Sequence, residues 1–147
     1  MDPAEFENDD KEAVEFCNEK MKHFDANMIK YFNQAINLYK ANVAAKFELD
    51  EAAQGARDPW VLFLIDDSER NVIDQKVIES QLFATYGIKS MRHTFKEVFE
   101  LMDFDQDTHI LKIRNKEIGF VYYRNGYQVE QYQDENDWET RRILEIS

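Results

Sequence analysis

Six consecutive apolar side chains, Trp60-Val61-Leu62-Phe63-Leu64-Ile65, stop abruptly at Asp66-Asp67. A strand with one wet face alternates apolar and polar residues, so a run without alternation needs cover on both faces. The run is also far short of the roughly 20 apolar residues that span a bilayer. It predicts the central strand of a parallel or mixed sheet, and the rest of the chain has to supply helices for both sides.

The flanking patterns can do so. Met28, Phe32, Ala35, Ile36, Tyr39 and Val43 recur at spacings of three and four, one apolar helix face within a helical part over 11–47. Over 11–24, Val14, Cys17, Met21 and Phe24 form a second such face, on a separate helix or an earlier part of the same one. Gly55 and Pro59 mark 49–59 as a linker. After the central strand, Asn71 to Tyr86 reads as a helix closed by Gly87, and Ile88 to His93 as a second strand. Thr94 is a good N-cap for a short helix through Met102, and Asp103 to Thr108 reads as an acidic loop. Ile110–Ile113 and Ile118–Tyr123 flank a turn at 114–117, the pattern of a hairpin. Asp134 to Ile146 closes the chain as a helix with Trp138, Ile143 and Leu144 inward. The fold expected is α/β, a three-layer domain with a mostly parallel or mixed sheet over 60–147, plus N-terminal helices.

Composition bounds the rest. With 147 residues, 44% of them apolar, the chain can bury one real core. Met1 to Phe6 carry no pattern and look like an expression-vector leader, which leaves 7–147 as a single domain. Thirty acidic residues against 18 basic ones give a net charge of −12, the wrong sign for nucleic acid or an anionic membrane surface. The acidic N-terminus lacks the apolar segment of a secretory signal, so the expected location is cytoplasmic. Cys17, the sole cysteine, excludes an intrachain disulfide and a multi-cysteine zinc site, and is expected to pack as a thiol. His23, His93 and His109 share no ligand spacing. Asp103, Asp105 and Asp107 imitate the start of a calcium loop, but Thr108 stands where its glycine belongs and Arg114 where its glutamate belongs. No metal site and no catalytic residue is expected in this chain.

Open α/β sheets bind ligands outside the C-terminal ends of their strands. Two polar clusters stand there: Asp66-Asp67-Ser68-Glu69-Arg70-Asn71, with Gln75 one turn further on, and Arg124-Asn125-Gly126-Tyr127. If the two preceding strands are parallel neighbours, Glu69 can take an ammonium group and Arg124 a carboxylate, with Asn71, Gln75 and Tyr127 as neutral partners. That set suits a zwitterionic amino acid or peptide. The plainer assignment, Asn71 as a helix cap and Asn125-Gly126 as a turn pair, stands beside it.

Glu69-Arg70-Asn71-Val72-Ile73-Asp74-Gln75 resembles the Glu-Arg-Asn-hydrophobic-hydrophobic-Asp-Gln motif of eukaryotic-type glutathione synthetases. Val121-Tyr122-Tyr123-Arg124-Asn125-Gly126-Tyr127 is similar to their Val-Tyr-hydrophobic-Arg-x-Gly-Tyr motif, and the stretch from Trp138 to Ser147 to the segment that follows. Arg142 departs by replacing an apolar residue, which implies a more exposed face. The resemblance covers Pro59 to Ser147 and corresponds to the family's substrate-binding domain, inserted in an ATP-grasp ligase that joins glycine to γ-glutamylcysteine. It implies γ-glutamylcysteine or glutathione as ligand, and Glu69, Arg70, Asn71, Gln75, Arg124, Asn125, Gly126 and Tyr127 as substrate-binding positions. It implies no cofactor in this chain; ATP and magnesium belong to the full-length family, whose remainder, or a second subunit, would be the partner. A free-standing interaction module that kept the fold and lost the ligase is the alternative.

Overall fold

The computed structural model describes residues 26–68 and 72–147. The expectations for Val14, Cys17, Met21, His23 and Phe24, like those for Glu69, Arg70 and Asn71, lie outside the described residues.

Helix α1 covers 26–46 and the short helix α2 covers Glu51–Gly55. Strand β1, Trp60–Leu64, leads to α3, Val72–Tyr86, and β2, Ser90–His93. Next come α4, Phe95–Leu101, then β3, Met102–Phe104, β4, Leu111–Ile113, and β5, Lys116–Tyr123. A 3-10 turn at Val129–Gln131 precedes the last helix, α5, Glu135–Ile146. The sheet order is β2-β1-β5-β4-β3. β1 pairs parallel to both β2 and β5, while β5-β4 and β4-β3 are antiparallel. The mixed sheet is therefore parallel where the apolar run lies, and Val61 to Leu64 are fully buried there.

Each sheet face carries its own core. Val61 and Phe63 point to a cluster with Ile29, Phe32 and Ile36 of α1 and Ile78 and Leu82 of α3. Leu62 and Leu64 point the other way, into a cluster with Phe95 and Val98 of α4 and Ile143 and Leu144 of α5. These are the three layers. Between Trp60 and Val61 the β1–β5 register skips from Ile118 to Phe120, which leaves Gly119 as a bulge residue. A Cβ on Gly119 would stand 2.8 Å from Pro59 Cβ and 3.1 Å from Ile36 Cδ1, so only glycine lets α1 and the α2 segment lie this close to β5. Glu117 fastens the same seam: its Oε1 accepts from the Tyr39 hydroxyl at 2.7 Å and from Arg57 Nη2 at 2.7 Å. Burial first, and the Glu117 contact second, hold the Tyr39 phenol well above its ordinary pKa.

Several local expectations hold. Thr94 caps α4 in a capping box, accepting from Glu97 N–H while Glu97 accepts from Thr94 N–H. Gly87, at φ +67°, ends α3. Others are corrected. The 49–59 linker contains α2, because Asp50 caps it through the Ala53 N–H at 2.7 Å. The first residues of the acidic loop form β3 on the sheet edge, and only Asp105 to Thr108 turn, with Asp105 accepting from the amides of Asp107 and Thr108. Trp138 does not point into the core: it is 44% exposed and stacks on Tyr132 at 3.8 Å between ring centroids. Arg142 is exposed and paired with Glu139, as its departure from the apolar pattern implied. No described helix is long and apolar enough to cross a membrane.

Candidate functional site

The geometry of the site starts from β1 and β5. They are parallel neighbours, so the segments leaving their C-terminal ends emerge at one edge of the sheet. The Arg124 amide extends the pairing by donating to the Leu64 carbonyl at 2.8 Å, and Ile65 does the same to His93 at 3.0 Å on the other side. Asp66, Asp67 and Arg124 thus share one rim, as the sequence led us to expect. The placement of Glu69 and Asn71 lies outside the described residues.

Side-chain alternation then divides the rim. Tyr122 faces α1 and α3, and Arg124, two residues on, keeps that side: its guanidinium carbon lies 6.0 Å from the Tyr122 ring centre. Gln75 stands on the buried stripe of α3 with Ile78 and Leu82. It is 1% exposed, and neither Oε1 nor Nε2 meets a partner among the described residues. A buried amide left in that state is costly, and it has the donor and the acceptor to receive another amide or a zwitterion.

The remaining expected residues serve the backbone. Asn125 is buried and its Oδ1 accepts from the Gly126 N–H at 2.8 Å. Gly126 takes φ +88°, and a Cβ there would sit 2.9 Å from the Tyr132 hydroxyl and 3.0 Å from Phe95. This pair makes the turn that the Asn-Gly signature suggested. The Tyr127 side chain is exposed, and its hydroxyl donates to the Tyr123 carbonyl. Its amide donates to Gln131 Oε1 at 2.6 Å.

On the opposite face, the ends of the same strands open into a cleft of about 410 Å³ between α4 and α5. Asp66, Asp67, Thr94, Lys96, Asn125 and Asp137 are among its walls. Asp137 is buried and accepts from the Gln133 amide at 2.7 Å, which fixes the approach to α5. Nothing local in the sequence announces this cleft, since three strand ends build it. Arg92 was also missed: it lies in β2 directly opposite Phe63, facing α3, with Nη1 buried and unmet among the described residues. A cation at an inward-facing position of a strand was the available signal.

Open α/β sheets generally bind ligands outside the C-terminal ends of adjacent parallel strands, the rim where Arg124 follows β5 and on whose α3 side the Gln75 amide is buried. The sequence model described as eukaryotic glutathione synthase matches residues 59–147, and the chain belongs to that family. It is 39% identical to glutathione synthetase of Homo sapiens over 93 residues, 63% of this chain and 19% of that protein. With glutathione synthetase of Xenopus laevis it shares 35% over 96 residues, 65% of this chain and 20% of the relative. The match to the Rattus norvegicus glutathione synthetase, 31% over 125 residues, takes in 82% of this chain and 26% of the relative. The chain therefore spans between a fifth and about a quarter of the length of these relatives.

Proposed function

We propose that this chain is the γ-glutamylcysteine-binding portion of a glutathione-synthetase-type ligase, which joins glycine to γ-glutamylcysteine in the cytoplasm. The observation that carries the reading is the pairing of β1 with β5. It sets Arg124 on the α3 side of the rim, where the buried Gln75 amide has no described partner. Family membership supports the choice of ligand. In this reading the Arg124 guanidinium holds a carboxylate through its planar fork. Gln75 and Tyr127 offer neutral hydrogen bonds, Glu69 takes the ammonium group, and Arg70 and Asn71 are further substrate-binding positions. Asn125 and Gly126 hold the turn that aims Arg124.

Binding, not activation, is the task of these residues. ATP and magnesium are for the remainder of the ligase, or a second subunit, to hold. Among the described residues no three His, Cys, Asp or Glu side chains are grouped as a metal ion would need, and the four glycines are dispersed.

The test is a titration of γ-glutamylcysteine into the chain and its Arg124→Lys variant, followed by nuclear magnetic resonance. Binding in the millimolar range, about −4 kcal/mol, is expected for the wild type, and about tenfold weaker binding for the lysine variant, which keeps the charge and loses the fork. Equal affinities would reduce Arg124 to a residue that merely follows a strand.

A further inference from the structure

The stretch from Trp138 to Ser147 supplies no ligand contact to the proposed half-site, but its Arg141 reaches the turn that carries Arg124. The Arg141 guanidinium carbon, on α5, lies 4.1 Å from the centre of the Tyr123 ring, well inside cation–π range. Its Nε meets Glu145 Oε1 at 2.7 Å, which orients the planar fork, and its Nη1 donates to the Tyr132 hydroxyl at 3.4 Å. That hydroxyl donates in turn to the Gly126 carbonyl at 3.0 Å. The Tyr132 ring is itself held in place. Trp138 stacks on it at 3.8 Å and 8°, and Phe95 of α4 packs against it at 5.0 Å.

These contacts bracket Arg124. Tyr123, directly before it, packs on the α4–α5 face under the Arg141 guanidinium, and Gly126, two residues after it, is tied through its carbonyl. Strand alternation sends the Arg124 side chain to the opposite face, so a fixed Tyr123 sets the direction in which Arg124 leaves β5. The last sheet bond here runs from the Arg124 amide to the Leu64 carbonyl, and past it side chains hold the turn. Arg142, the neighbour that departs from the family pattern, pairs with Glu139 at the surface instead.

From this placement we infer that Arg141 is a positioning residue for Arg124, acting through the Tyr123 ring and through the Tyr132 hydroxyl on the Gly126 carbonyl. The inference rests on the γ-glutamylcysteine site proposed above and adds the group that orders its carboxylate-binding arginine. A turn already ordered before the ligand arrives spares the complex that cost on binding.

The experiment titrates γ-glutamylcysteine into the chain and its Tyr132→Phe, Arg141→Met and Arg141→Lys variants, each also combined with Arg124→Lys, and follows binding by nuclear magnetic resonance. Tyr132→Phe keeps the stacked ring, removes only the linking hydroxyl, and is expected to weaken binding about threefold. Arg141→Met, which loses both contacts, should weaken it about fivefold, and Arg141→Lys, which keeps a cation near Tyr123, by less. If the methionine variant does not fold, Tyr132→Phe carries the test. With Arg124 already replaced by lysine, each of these losses should fall below about twofold, because groups that act through one another are not additive. A residue that serves stability alone would lower the urea midpoint and leave the affinity of the folded protein unchanged. That result, or equal losses in both backgrounds, would overturn the inference, while binding that still depends on Arg124 would preserve the half-site. No binding by the wild type, or equal binding by Arg124→Lys, would remove the role of Arg124 and the positioning role with it.

Discussion

Replacing Gln75 by methionine should make the ligand-free protein more stable and the site worse. The side chain is 1% exposed, it lies on the stripe of α3 that packs with Ile78 and Leu82, and its two amide atoms have no partner among the described residues. An unpaired buried amide costs about 1–3 kcal/mol in protein substitution data. Methionine has nearly the same length, removes the polar atoms and fills irregular space well. No described hydrogen bond is lost in the exchange, so a gain of about 1–2 kcal/mol is expected, discounted for imperfect repacking. For a chain of this size that corresponds to a rise of about 3–6 °C in Tm, read by circular dichroism, with an unchanged urea slope. Titration of γ-glutamylcysteine into the same variant should show weaker binding. A fall in Tm of similar size would refute the reasoning, because it would mean that the amide is already satisfied in the ligand-free protein and serves the fold.

Gly119→Ala should destabilise the protein by about 1–3 kcal/mol in urea titration, because its Cβ would sit 2.8 Å from Pro59 Cβ and 3.0 Å from Tyr39 Cδ1. Stability should also fall as pH rises past 10. The Tyr39 phenol is held above its ordinary pKa in the folded chain, so the unfolded chain loses its proton first, binds fewer protons in that window, and is favoured. Tyr39→Phe should reduce this alkaline loss in Tm against pH and leave the share of Tyr123, whose phenol burial also holds above its ordinary pKa; an unchanged profile would assign the loss elsewhere.

What the chain discloses before folding is mostly what short-range chemistry can write. The run 60–65 needs two covers and has them; Thr94 and Gly87 act through their own backbones and are legible as caps; Asn125-Gly126 is a turn by its residue types alone. Failures occur where the deciding partner is distant. Asp50 organises a five-residue helix that composition disguises as linker, and β3 exists because β4 returns beside it, not because Met102-Asp103-Phe104 prefers to be extended. Trp138 looked like core because it is large and apolar, whereas Tyr132 offers it a stacking partner at the surface. In the candidate site the position of Arg124 was legible from the strand before it. Arg92 was hidden because its meaning depends on the register of β2 against β1 and on which face α3 covers.

The sheet order carries a cost during synthesis. β1 is the strand most completely enclosed in the finished molecule, but its two neighbours arrive late: β2 about 30 residues after it, and β5 nearly 60. Until Tyr123 has left the ribosome, one side of a bare Trp-Val-Leu-Phe-Leu-Ile strand has no native partner, and pairing across such a sequence gap is slow. In that interval the segment has the features of a self-associating one: apolar, extended, uncharged and free of proline. Asp66 and Asp67 stand immediately behind it, where a pair of negative charges opposes stacking of one nascent chain on another. The two aspartates at the rim of the folded sheet are thus placed where charge opposes association of the exposed strand that precedes them.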